Sequence, residues 1–182
     1  MRIRNLALVL LGLLSGCNSA PAPETKSAPA ASAAPASEAH GNLAQVMRAI
    51  MFPNSNVIFF AQDKDPTKVK QATDPSSATD ILASTYGGWD AVENSGLALS
   101  EAANLLTVPG RKCSNGKDVP IKNEDWPKLV QQLRDAGMAA YKAAQSKNQD
   151  NILAATDTLT TACGSCHEKY RDKPGGVANR CM

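Results

Sequence analysis

The chain has 182 residues and a formal net charge of +2, and only 4% of its residues are aromatic although 43% are hydrophobic. The small net charge, with Lys and Arg scattered along the chain, gives no basis for nucleic-acid binding. So few aromatic side chains predict a core built from Ala and Leu, or a core that a non-protein group fills in part.

Residues 1–17 have the pattern of an export signal. Arg2 and Arg4 precede the apolar stretch Leu6 to Leu14, which is about half of the roughly 20 residues that a membrane-spanning helix needs. The run LSGC that ends at Cys17 resembles the bacterial lipobox, which predicts lipid on Cys17 and a periplasmic chain anchored to a bacterial membrane. Asn18, by resemblance to enterobacterial lipoproteins, favours the outer membrane. The alternative is an ordinary signal that is cleaved elsewhere, with Cys17 lost.

Residues 18–40 consist mainly of Ala, Pro and Ser, with almost no large apolar side chain. Such a segment buries too little surface to offset the entropy of ordering, so it is predicted to be a disordered tether. As a coil it would reach roughly 25 Å. Residues 41–182 then form one domain.

The first two predicted helices lie in the N-terminal half of this domain. The first runs from about residue 41 to residue 60, with Pro53 expected to kink it. The second runs from about residue 76 to residue 106 and stops before Pro109. Gly87 and Gly88 are a weak point in the second helix, or a place of close helix approach.

The third predicted helix begins near Asp125, as an N-cap, with Pro127 in its first turn. The fourth begins after Asn148 or Asp150 and continues through Tyr170. No segment alternates as a strand would. Four amphipathic helices with short links predict an all-α fold, an antiparallel up-down-up-down four-helix bundle.

The pentapeptide Cys163-Gly164-Ser165-Cys166-His167 has the C-x-x-C-H form that is typical of covalent haem attachment. Residues three and four apart share a helix face, so the two thiols can form thioethers at one edge of a porphyrin while the imidazole binds the iron. The motif predicts one haem c near the end of the last helix. A thioredoxin-like loop would need a preceding strand, and a zinc site would need four ligands, although His40 is the only other histidine.

The ending C-x-x-C-H-x-x-Tyr-Arg, formed with Tyr170 and Arg171, resembles that of the class II cytochromes c, which are cytochrome c′ and its low-spin, methionine-ligated relatives. The resemblance covers about residues 41–173. It implies a four-helix bundle with haem near the C-terminus, and it makes Arg48 and Arg171 candidates for contacts with the haem propionates. Solvated surface charge is the alternative for both arginines. Pairing through the first two helices, as in cytochrome c′, makes a homodimer an open expectation.

The sixth ligand of the iron is predicted by finding the residue on the first helix that lies at the same height along the bundle as His167 on the last helix. His167 lies about five residues before the last helix ends, and Met47 is about as far into the first helix; Met51 lies one turn further. A methionine ligand would make a low-spin electron carrier with a raised potential. Counting four residues from Arg48, as class II proteins suggest, gives Phe52 instead. Without a methionine ligand the iron would be five-coordinate and able to bind small gases.

Two of the five cysteines remain after lipidation and haem attachment are assigned. Disulfides persist outside the cytoplasm, so Cys113 and Cys181 are predicted to form one, with two free thiols as the alternative. In the predicted bundle, the loop that carries Cys113 and the end of the fourth helix lie at the same end.

Electron transfer to and from a periplasmic or membrane redox partner is the leading functional hypothesis, and the chain is not predicted to be an enzyme. The folded part has no second histidine to act as an acid or base near the iron. The alternative is a five-coordinate haem module that binds nitric oxide or carbon monoxide. A thiol–disulfide oxidoreductase that uses Cys163 and Cys166 is the remote alternative.

Overall fold

The computed structural model describes residues 38–172 and 180–181, and over these residues the fold is all-α, as predicted. The proposed lipidation site, Cys17, and tether residues 18–37 lie outside the described part. The described part contains no strand, and Lys112 and Asp118 form only an isolated bridge. Four helices follow one another: α1, made of Leu43–Val46, Met47–Met51 and Phe52–Asp63; α2, Trp89–Ala102; α3, Trp126–Gln145; and α4, Gln149–Cys166, which a π-helical turn, His167–Arg171, continues.

Helix α1 changes its hydrogen-bonding pattern just before Pro53. A capping box starts the helix. The side chain of Asn42 accepts from the backbone N–H of Gln45, and the side chain of Gln45 accepts from the backbone N–H of Asn42. The segment Met47–Met51 is a π-helical turn, and the N–H of Phe52 donates to the carbonyl of Met47. Proline has no N–H to donate to the preceding turn. The side-chain amide of the next residue, Asn54, donates to the carbonyl of Ile50 at 2.7 Å. The sequence predicted a kink at Pro53, and the structure has a π turn that ends beside it.

Helix α2 is shorter than predicted, because it begins at Trp89 and not near residue 76. Residues 75–77 and 81–83 form separate 3₁₀ turns. The break is at Gly88, whose φ of +61° lies in the left-handed region that glycine tolerates best. The N–H of Gly88 donates to the carbonyl of Leu82 at 2.8 Å, so the chain folds back there. The end of α2 continues as a 3₁₀ turn, Ala103–Thr107.

Helices α3 and α4 begin where the sequence predicted, but the two starts differ in chemistry. Asn148 caps α4, and its side chain accepts from the N–H groups of Asp150 and Asn151. Pro127 lies in the first turn of α3, as expected, but the Asp125 side chain makes no cap hydrogen bond. Asp125 is the N-cap residue of α3, as predicted, but its carboxylate does not cap the helix because it bonds Lys169 and Tyr170 instead.

The core is built mainly from small and aliphatic residues of all four helices. Neighbouring helices α1 and α2, α2 and α3, α3 and α4, and α4 and α1 pack against each other. Trp126 is the largest fully buried side chain, and its indole N–H donates to the carbonyl of Leu106 at 3.1 Å. No helix in the described part is both long and apolar enough to cross a membrane.

Contacts between helix ends show which termini are neighbours. Gln149, at the start of α4, donates to the carbonyls of Ala61 and Gln62 near the end of α1. Gln145, at the end of α3, bonds Glu93 near the start of α2. At the other end of the molecule, the N–H of Leu43 donates to the carbonyl of Lys112 in the segment between α2 and α3.

A disulfide joins Cys113 to Cys181, as predicted, with a Cα–Cα distance of 4.8 Å. It links the segment before α3 to the chain end that follows α4. The side-chain amide of Asn115 donates to the carbonyl of Arg180 at 2.6 Å, and the N–H of Cys181 donates to the carbonyl of Tyr170 at 2.9 Å. The bond closes a loop with a sequence separation of 68, which corresponds to about 4 kcal/mol in the chain-entropy model.

Helices α2 and α3 approach most closely at two glycines. A Cβ on Gly137 would lie 2.6 Å from the backbone nitrogen of Ser100 and 2.9 Å from the carbonyl oxygen of Gly96. A Cβ on Gly96 would lie 2.5 Å from the backbone nitrogen of Tyr141. Because the obstacles are backbone atoms, the two helices would have to move apart to accept a larger residue.

We therefore predict that Gly137→Ala destabilises the protein by about 1–3 kcal/mol, the usual range for overpacking. Helix propensity alone favours Ala by about 1 kcal/mol, so the two effects have opposite signs. The measurement is denaturant unfolding followed by circular dichroism. Gly164→Ala in α4 is the matched control, because a Cβ there meets no atom within 4 Å. A Gly137→Ala variant as stable as the control would contradict the close approach.

Candidate functional site

A cavity of about 430 Å³ lies between the first half of α1, the start of α3 and the last turns of α4. Its size is within the range of small-molecule and cofactor pockets. The wall is mostly apolar, with residues from all four helices and from the turn after α2: Leu43, Ala44, Phe59, Leu99, Leu106, Leu129, Val130, Leu133 and Ala162. The site is therefore built to surround an apolar body.

Cys163, Cys166 and His167 all line this cavity. They lie three and four positions apart at the junction between α4 and its π-helical continuation, so their side chains share one face. Both cysteines are free thiols, whereas Cys113 and Cys181 are bonded to each other. The structure thus brings together the three side chains that the sequence motif singled out.

The surroundings of these three side chains favour their uncharged forms. Burial raises the pKa of the Cys163 thiol, and burial with the neighbouring Cys163 and Asp125 raises the pKa of Cys166 to about 11. Burial, followed by the Arg171 charge, lowers the pKa of His167. At neutral pH the cavity therefore holds two thiols and a neutral imidazole, and only the neutral imidazole has a lone pair for a metal.

The start of α3 holds the π-helical turn that continues α4. The Tyr170 hydroxyl donates to Asp125 Oδ1 at 2.7 Å, and Lys169 Nζ lies 2.6 Å from Asp125 Oδ2. Asn123 donates to the same hydroxyl at 3.1 Å. The rings of Tyr170 and Trp126 meet edge to face with centroids 4.9 Å apart. These contacts orient the turn that carries His167.

Helix α1 supplies the wall with both methionines that the sequence proposed as iron ligands. Met47 and Met51 line the cavity, and they begin and end the π-helical turn. Met51 is buried and Met47 is half-buried. Phe52, the position that the class II spacing indicates, also lines the cavity but is 64% exposed. All three positions therefore remain candidates for the sixth ligand or its replacement.

Three exposed side chains line the cavity, and we call them the cavity mouth: Arg48, Phe52 and Arg171. The structure thus brings both proposed propionate-binding arginines to the site. Arg171 bonds its neighbour Asp172 through two nitrogens at 2.8 Å. Arg48 has no ion pair within residues 38–172 and 180–181. Cys181 of the disulfide also lines the cavity.

Arg111 is a buried charge beside the site that the sequence reasoning missed. It is 5% exposed, and its guanidinium donates to the carbonyl of Leu105 at 2.9 Å and to the carbonyl of Gly41. It therefore ties the start of α1 to the segment after α2. Among the described residues it has no carboxylate partner. The preceding Pro109-Gly110 turn was a weak signal of an ordered segment, but nothing in the sequence indicated that this arginine is buried.

The donor set fits a covalently attached porphyrin better than a metal ion bound by side chains alone. Within the described residues no group of three or more His, Cys, Asp or Glu side chains is arranged to hold a metal. Two free thiols and one neutral imidazole instead border an apolar cavity. Comparisons with protein-family models, with curated proteins and with solved structures find no match for this chain.

The contact between Asp125 and the last α4 turn predicts an acid-sensitive stability. Hydrogen bonds from Lys169 and then Tyr170 lower the pKa of Asp125 below its ordinary value. Because the folded-state pKa is depressed, the contact stabilises the fold fully above about pH 4 and is lost as the pH falls through the lower folded-state value. Asp125→Asn should therefore lower the unfolding midpoint at pH 6 and flatten its dependence on pH below 4.

Asp118→Asn is the matched control for this measurement. Asp118 also pairs with a lysine, Lys112, at 2.6 Å, but its side chain is 76% exposed against 30% for Asp125. Exposed ion pairs contribute little to stability, so this control should unfold like the unaltered protein. Equal pH profiles for Asp125→Asn and the unaltered protein would show that the carboxylate does not hold the turn.

Proposed function

We propose that this chain is a monohaem c-type cytochrome that transfers electrons at the periplasmic side of a bacterial membrane. The observation that carries the proposal is that Cys163, Cys166 and His167 face one apolar cavity while both thiols are free. A chance C-x-x-C-H sequence would not require a cavity beside it. The resemblance to class II cytochromes c at the C-terminal motif supports the same conclusion.

Each residue at the proposed site has a distinct role. The thiols of Cys163 and Cys166 would hold the porphyrin covalently by addition to two vinyl groups, a reaction without a leaving group. His167 would bind the iron, and its lowered pKa keeps the imidazole neutral and available. When bound, the haem would supply one-electron redox chemistry. The apolar wall would limit the access of water to it, and Arg48 and Arg171 are candidate partners for its propionates.

The helix-end contacts support the finer fold that this proposal includes. Gln149 lies near Ala61, Gln145 near Glu93, and Tyr170 near Asp125. These contacts are those expected of an antiparallel up-down-up-down bundle, in which successive helices run in opposite directions. In that bundle the haem would lie at the end where α4 finishes, beside the first half of α1.

The thiol–disulfide oxidoreductase alternative has less support from the site. Reactive cysteines of that class have a lowered pKa, usually at a helix N-terminus. Cys166 is the last residue of an 18-residue helix, at the negative end of its dipole, and its pKa is raised to about 11. Both properties weaken it as a nucleophile at neutral pH.

The location in the proposal depends on the export signal and on Cys17. Lipid on Cys17 would leave residues 18–40 as the tether between the membrane and the haem domain. Mass spectrometry of the mature chain tests this part separately. A mature N-terminus other than lipidated Cys17 would remove the anchor and leave the haem proposal unchanged.

The proposed function first predicts that the mature protein carries covalently attached haem. Protein matured in a host competent for c-type cytochromes should carry one haem that remains attached after denaturation, as measured by mass and by visible absorbance. Cys163→Ser with Cys166→Ser should abolish the attachment. Cys113→Ser with Cys181→Ser is the matched control, since it also removes two cysteines, one of which lines the cavity, and it should retain the haem. A colourless unaltered protein would overturn the proposal.

The methionine ligand gives a second prediction. With Met47 as the first candidate, Met47→Leu, which keeps the side-chain volume, should convert a low-spin spectrum that is indifferent to carbon monoxide into a high-spin one that binds it. Met51→Leu is the paired variant and should leave the spectrum unchanged. If the unaltered protein already binds carbon monoxide promptly, the gas-binding function replaces the electron carrier.

A further inference from the structure

Charge is distributed unevenly between the two ends of the described domain. The cavity end consists of residues 38–48, 104–128, 166–172 and 180–181, which the Leu43–Lys112 hydrogen bond, the disulfide and the Tyr170–Asp125 contact hold together. It carries nine basic and six acidic side chains, a net charge of +3, whereas the rest of the described residues carry six basic and ten acidic, a net charge of −4. Within the described residues, basic side chains are therefore in excess at the cavity end and acidic side chains are in excess in the remainder.

The cavity mouth adjoins this positive end, which contains both of its arginines, and it has the chemistry of a docking centre. Phe52 is 64% exposed, although it lines the cavity. Exposed arginines flank it in the lining, Arg48 from α1 and Arg171 from the end of α4. An aromatic side chain with arginines beside it is the composition that protein interfaces favour at their centres.

We infer that the cavity mouth is the docking surface for an acidic protein that exchanges electrons with this chain. The inference rests on the proposed function and adds to it the contact surface and the charge of the partner. Opposite charge accelerates encounter and orients the partner before contact. Here the excess of basic side chains beside the cavity mouth attracts an acidic surface, and Phe52 supplies the apolar contact next to the haem cavity.

An acidic protein fits these observations better than an anionic membrane. Membrane-surface binding uses a continuous apolar helix face with Lys and Arg beside it. The mouth has one exposed large apolar side chain, Phe52, and three of the lysines and arginines at this end are already paired with carboxylates: Lys112, Lys169 and Arg171. A small apolar centre in a mixed but net positive surface is typical of a transient protein contact.

The test uses two outer-sphere oxidants of opposite charge as probes of the full, haem-loaded chain. Ferricyanide takes one electron from the reduced protein and becomes ferrocyanide; tris(phenanthroline)cobalt(III) takes one electron and becomes the cobalt(II) complex. Stopped-flow rates are measured from low to high ionic strength. Oxidation by the anionic complex should slow as salt is added, and oxidation by the cationic complex should accelerate.

Three charge reversals locate the effect on the surface. Arg48→Glu is at the mouth, and Lys122→Glu is at the cavity end but away from the site. Lys70→Glu is the matched control, an exposed loop lysine in the negative part of the molecule with the same change in net charge. At low salt, Arg48→Glu should slow the ferricyanide reaction by about threefold or more, Lys122→Glu by less, and Lys70→Glu least. Because Arg48 is also a candidate propionate partner, the haem content and reduction potential of each variant are measured beside its rates, and the three rates compared at equal driving force should converge at high salt.

The outcomes separate this inference from the proposed function. A chain without haem overturns both. A haem protein that reacts with both oxidants, but whose three variants slow the ferricyanide reaction equally, overturns the docking surface and leaves the cytochrome intact. Salt-sensitive partition onto vesicles of phosphatidylcholine and phosphatidylglycerol that Arg48→Glu abolishes and Lys70→Glu preserves would assign the surface to lipid and overturn the protein partner.

Discussion

The contact of Tyr170 and Lys169 with Asp125 is the interaction on which the site depends. It holds the last turn of α4 against the start of α3, with bonds of 2.7 and 2.6 Å. Since Cys163, Cys166 and His167 are on the same helix, fixing this turn also fixes the direction in which they point. The edge-to-face packing of Tyr170 on Trp126 adds an apolar contact that depends neither on salt nor on pH. The turn that carries His167 is therefore held in place, and it forms a fixed wall on one side of the cavity.

Much of the fold could be predicted because local signals agreed with packing. Asn148 caps α4, and Pro127 lies in the first turn of α3. The second helix was predicted to begin near residue 76, but Leu82 is buried from a 3₁₀ turn. The α-helix begins only after Gly88, which has a positive φ. Asp125 occupies the predicted N-cap position, but its carboxylate binds Lys169, a residue far away in sequence, and sequence spacing carries no information on such partners.

Part of the candidate site could likewise be predicted from the sequence, and part could not. One helical turn contains Cys163, Cys166 and His167, so their spacing alone was enough to group them. The methionines of α1 were predicted by counting residues from the helix ends, on the assumption that the helices form an antiparallel bundle. The π-helical turn from Met47 to Met51 was not expected. Arg111 was missed entirely, because its burial comes from the carbonyls of Leu105 and Gly41, which only the folded chain brings together.

The disulfide has a consequence for how the protein is made. Cys181 lines the same cavity as Cys163 and Cys166, so one pocket wall contains an oxidised sulfur and two reduced ones. An environment oxidising enough to close the 113–181 bond also favours a bond within the short C-x-x-C loop or an exchange among the four sulfurs. Biogenesis of the proposed cytochrome must therefore keep one pair reduced while the other is oxidised, either by order in time or by a selective reductant.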